Sequence, residues 1–138
     1  MKNFRIIVVV FVTSLIAITG CKKDAVEQTD NLKQTGILGQ WKLETRVTDG
    51  ISSLIAECCD YIAFKTDAEL NDLKGAFKAT GAAYETIGVF EVNTSANTIQ
   101  FDYNDTQKVY EFQIESDLIT FTYVENNQTI NEYWRKEK

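Results

Sequence analysis

The chain has 138 residues, 14 of them basic and 20 acidic, for a net charge of −6. It contains no histidine and no proline. The missing imidazole removes His-dependent triads, imidazole bases and His-ligated haem or zinc. The acidic balance, with no basic patch interleaved with aromatics, excludes nucleic-acid binding.

In chain order, Lys2 and Arg5 form a charged start, and Ile6 to Ile18 is an apolar run broken only by Thr13 and Ser14. The run is too short to span a bilayer and ends in small residues, as a cleaved signal peptide does. Ile18-Thr19-Gly20-Cys21 resembles the bacterial lipobox: an aliphatic residue, two small ones and a cysteine. The resemblance implies that residues 1–20 are removed and that Cys21 becomes the acylated N-terminus, palmitate among its chains. Two or more chains hold a protein stably on a membrane, whereas one binds marginally. An ordinary secretory signal that leaves Cys21 as a free thiol is the competing reading. Lys22, in place of an aspartate, points to the outer membrane of a Gram-negative envelope without choosing a face. Loss of Lys2 and Arg5 leaves 12 basic against 20 acidic residues. Residues 21–36 are polar and aperiodic and read as a flexible tether with a reach of about 20 Å.

From Ile37 onward the hydrophobic period is two, the signature of half-buried strands. Trp41, Leu43, Thr45 and Val47 alternate with Gln40, Lys42, Glu44 and Arg46, and Asp49-Gly50 then signals a hairpin. Strands are predicted at 51–57, at 60–65 with Ile62 and Phe64 on one face, and at 84–92. A turn over 93–97 precedes Ile99, Phe101 and Tyr103. Further turns at 104–106, 115–117 and 126–127 separate the trio Tyr110, Phe112, Ile114, the trio Ile119, Phe121, Tyr123 and a last strand over 129–136. Seven or eight short strands at regular spacing predict an all-β fold, an antiparallel up-and-down barrel of about eight strands. One segment departs from this. Thr66 as a cap, Glu69 three residues on, and Leu70, Leu73 and Phe77 on one face predict a short helix near residues 66–80, stopped by Gly81. It would be a plain cover over one barrel end or a lid over a cavity.

Ile37-Leu38-Gly39-Gln40-Trp41-Lys42-Leu43 is similar to the G-x-W opening of lipocalins, and closer still to the small lipocalin-like lipoproteins of Gram-negative envelopes. Residues 88–92, 97–101 and the terminal Tyr133-Trp134-Arg135-Lys136 fit the same layout. The resemblance implies an eight-stranded barrel domain over residues 37–138, with Arg135 lying across Trp41 at a closed end. The biochemical activity of these small lipoproteins is mostly unassigned.

A barrel of eight strands is just wide enough to be filled by side chains or to hold one small ligand. The predicted inward set includes Phe64, Phe90, Phe101, Tyr103, Tyr110, Phe112, Phe121 and Tyr123. Packed together they make a core; opened, they line a pocket for an apolar ligand with tyrosine hydroxyls giving direction. Cys58-Cys59 allows a vicinal disulfide, strained because adjacent Cα atoms sit about 3.8 Å apart, below the usual disulfide range. Two thiolates could also catch a soft metal, but no third ligand is evident beyond Asp60 or Glu57. The acidic turns lack calcium-loop spacing. With no nucleophile–base pair in view, the expectation is a non-enzymatic protein without cofactor or metal, attached to the membrane by acyl chains. It binds a small apolar molecule in the barrel or, alternatively, serves as a filled interaction or structural module.

Overall fold

A computed structural model describes residues 30–54, 60–69 and 71–138. The signal segment, Cys21, most of the tether, the Cys58-Cys59 pair and Leu70 lie outside the described residues. Among the described residues there are one short helix and nine strands. They are α1 (Asn31–Gln34), β1 (Gly39–Thr48), β2 (Ile51–Leu54), β3 (Tyr61–Thr66), β4 (Lys74–Thr80), β5 (Glu85–Asn93), β6 (Thr98–Tyr103), β7 (Thr106–Glu115), β8 (Leu118–Glu125) and β9 (Gln128–Lys136).

Each strand from β3 to β9 pairs antiparallel with the next, and β9 returns to β1. The first half of β1 pairs with β3 and its second half with β2. Eight strands therefore close into an up-and-down barrel and β2 is an extra flap on its rim. Closure removes the exposed edges that an open sheet would carry. Three hairpins at one end turn through left-handed residue pairs, Asp49-Gly50, Asn104-Asp105 and Asn126-Asn127. This is the two-residue geometry that matches strand twist, and Asn, Asp and Gly tolerate it. We call that end, where β1 finishes and β9 starts, the mouth; the opposite end is closed.

Two expectations are corrected here. Residues 74–80 form barrel strand β4, not a helix. Gly75, Phe77 and Ala79 point inward, and because two of the three are small, the alternation is hidden while Leu70, Leu73 and Phe77 imitate a helical face. The small residues have a steric purpose. Gly75 pairs with Phe90 and Phe77 with Gly88, so each ring covers the glycine of the neighbouring strand. A Cβ on Gly75 would meet Phe90 Cε1 at 2.8 Å and also the Lys65 carbonyl. Gly75→Ala is thus expected to cost about 2–3 kcal/mol in urea unfolding. Lys78→Ala, which removes only an exposed 2.8 Å ion pair with Glu85, should cost less than about 0.5 kcal/mol. Equal losses would contradict the packing of the glycines.

The tether is the second correction. Its described part, from Asp30 on, belongs to the fold: the Asp30 carboxylate caps α1 by accepting from the Leu32 and Lys33 amides at 3.0 and 3.3 Å. α1 places Leu32 in the core, and Ile37 follows it there. Helix and loop together plug the closed end. Polar composition conceals this because a single leucine does the docking.

Candidate binding site at the barrel mouth

The closed half of the barrel is filled. Phe64, Phe90, Phe101 and Phe121, four of the eight predicted lining residues, are buried. They pack on one another and on Phe77, with Phe64–Phe90 and Phe77–Phe101 edge-to-face at 4.9 Å and Phe101–Phe121 at 5.9 Å. Phe112 and Ile114 are only partly buried, near the plug. A depression of about 810 Å³ lies beside the plug, lined by Thr35, by Thr94 and Asn97 of the neighbouring turn, and by Phe112, Ile114 and Thr120. It sits at the closed end and not at the mouth.

The other predicted lining residues, Tyr103, Tyr110 and Tyr123, sit toward the mouth and are only partly buried. Tyr110 and Tyr123 stack at 4.2 Å with ring planes 14° apart. Beside them lies a charged pair that alternation along β1 does not reveal. The β1–β9 register shifts between Leu43 and Thr45, so Glu44 is a bulge that turns every later side chain to the other face. Arg46, expected outside, therefore faces Glu132 on the inner wall. Glu132 is 6 % exposed. Its Oε1 accepts from Arg46 Nε at 2.9 Å and Nη2 at 2.6 Å and from the Tyr123 hydroxyl at 3.0 Å. Its Oε2 accepts from Trp134 Nε1 at 3.2 Å. A buried carboxylate persists only with partners of this kind. Arg46 keeps 40 % of its side chain in solvent. Further out, Lys108 and Glu125 pair at 3.0 Å, and Tyr84 and Asp60 both lie against Gly81.

The phenols respond to this setting. Burial, then the charge and hydrogen bond of Glu132, raise Tyr123 far above the ordinary phenol range. Burial pushes Tyr110 up to about 12 against the opposing Lys108 charge. Burial and then Asp60 push Tyr84 to about 12. For Arg46, burial acts downward, but the Glu132 charge and hydrogen bonds outweigh it and the net shift is upward. Because these folded phenols hold their protons above the unfolded value of about 10, the unfolded chain releases them first. The stabilisation is complete below pH 10 and is lost as the pH rises through 12. We expect alkaline unfolding in that window and a smaller pH dependence in Tyr123→Phe, read by circular dichroism. Unchanged pH dependence in that variant would show Tyr123 to be an ordinary surface phenol.

Trp41 is fully buried and its Nε1 donates to the Ile37 carbonyl at 2.7 Å, as expected of a plug. The cation over its ring is Lys136, with Nζ 5.0 Å from the centroid, and not Arg135. Neighbours on a strand face opposite ways; Trp134 and Lys136 share the inner side of β9, so Arg135 points outward. There it binds Glu44 at 3.0 and 3.1 Å and Asp117 at 3.0 Å. The inward Glu132 was readable, since it shares parity with Ile130 and Trp134; the bulge that brings Arg46 to it was not. Among the described residues no three acidic or thiol side chains gather to hold a metal. Compared with protein-family models, with the curated proteins and with the solved structures, the chain matches none.

Proposed function

We propose that the chain is a lipocalin-like lipoprotein of the cell envelope, held on the outer membrane through acylated Cys21, whose barrel binds a small molecule in its mouth. One observation carries the reading. Apart from Phe112 and Ile114, inward side chains toward the closed end are sealed, as Trp41, Ile99 and Ile119 are, whereas Tyr103, Tyr110, Tyr123 and Arg46 toward the mouth stay partly in solvent. A ligand therefore sits shallowly over the tyrosines rather than deep among the phenylalanines, and it is compact rather than long-tailed.

The test is native mass spectrometry of the full protein extracted from membranes in detergent, repeated under denaturing conditions. An added mass that leaves on denaturation is expected. Tyr110→Trp, which crowds the mouth, should abolish it, while Phe112→Trp near the plug should keep it. No added mass, or one equally retained in a folded Tyr110→Trp protein, overturns the reading. The denatured N-terminal peptide reports acylation of Cys21 separately. A filled interaction module is the second reading, favoured by Ile87, Val89, Val109 and Val124 on the outer wall, which are 56–70 % exposed.

A further inference from the structure

We infer that the mouth takes a small flat molecule carrying a carboxylate, an aromatic acid by class; this rests on the mouth-binding reading above. Glu132, the buried acceptor at the mouth, already receives four hydrogen bonds, and Glu125 Oε1 receives Lys108 Nζ. Donors remain. Arg46 spends Nε and Nη2 on a single oxygen, and among the described residues its Nη1 has no partner. The hydroxyls of Tyr103 and Tyr110 likewise have none, and no side-chain N or O there is sealed from solvent without a partner. These groups share one neighbourhood: Tyr110 stacks on Tyr123 at 4.2 Å, and Tyr123 and Arg46 both bind Glu132 Oε1.

A ligand cation entering this space meets the Arg46 and Lys108 cations and, in Glu132, a carboxylate already holding four hydrogen bonds. A purely apolar ligand strips water from the free donors and returns nothing. A carboxylate accepts from a guanidinium edge and from hydroxyls with charge-assisted bonds. Its body is flat because the exposed wall is the Tyr110–Tyr123 stack. It is short because Phe101 and Phe121 close the floor, 5.4 and 6.3 Å from the Tyr110 ring. The acidic surface elsewhere opposes an anion only within a screening length of about 8 Å.

Benzoate, benzamide and benzylammonium, one ring with three head groups, test this by saturation-transfer NMR on the full protein in detergent. Benzoate should bind, benzamide about tenfold more weakly, and benzylammonium least. Tyr110→Phe keeps the ring and removes one donor, so it should weaken benzoate about tenfold with the fold intact. Preference for benzylammonium, or equal binding of all three unaffected by Tyr110→Phe, overturns the inference and leaves the mouth as a site. Binding of none of the three overturns the inference as well, and the mouth-binding reading then stands or falls on the native mass alone.

Discussion

Trp41→Ala is expected to be the most damaging single change, lowering unfolding free energy by about 3–5 kcal/mol out of the roughly 5–15 kcal/mol typical of a domain. Three losses coincide. A fully buried indole disappears from the closed end, where Leu32 and Ile37 leave little room to collapse inward. The Ile37 carbonyl loses its 2.7 Å donor. Lys136 loses the ring face it covers. Trp41→Phe restores an aromatic body but not the donor, so a loss of about 1–2 kcal/mol should remain. Urea unfolding followed by circular dichroism reads both. A Trp41→Ala protein within about 1 kcal/mol of the parent would mean that the plug is ornamental.

Arg46→Met comes next. Removing one partner of a buried pair strands the other, at a cost of about 3–5 kcal/mol when both are buried. Arg46 is 40 % solvent-exposed, and water near the remaining carboxylate screens it, so about 2–3 kcal/mol is expected. Tyr123 and Trp134 still donate to Glu132, which is why the variant should fold. The companion double variant Arg46→Met, Glu132→Gln removes both charges while an amide oxygen still accepts from Tyr123 or Trp134, and it should recover part of the loss. A double variant as unstable as the sum of the singles would show that the two residues do not act together.

The alternating segments from β5 to β9 were legible because one face of each is apolar and the turns between them carry Asn, Asp and Ser. Closure between β1 and β9 followed from strand number. What escaped notice has specific causes. β4 hides its period because Gly75 and Ala79 occupy inward positions, and only the rings of Phe90 and Phe77 reveal why they are small. α1 hides in a polar stretch because one leucine anchors it. Arg46 escaped because a single inserted residue, Glu44, inverts every face after it, and nothing in local alternation marks a bulge. The aromatic filling of the barrel could be read from parity. The mouth site needed two strands that lie 86 positions apart in the chain to be aligned.

The seam between the first and last strands has a temporal meaning. Trp41 aligns with Lys136, and the seam also holds the Arg46–Glu132 and Arg135–Glu44 pairs and a bond from the Glu137 amide to Gln40. Until β9 is in place, β1 has no partner on that side. A sheet without that seam would have two bare edges, prone to sticking to other chains. Pairings of such long sequence separation also belong to the slow end of folding. Docking of β9 on β1 is what closes the barrel. A copy cut short before Glu132 would lack the seam's ion pairs and one wall of the mouth together.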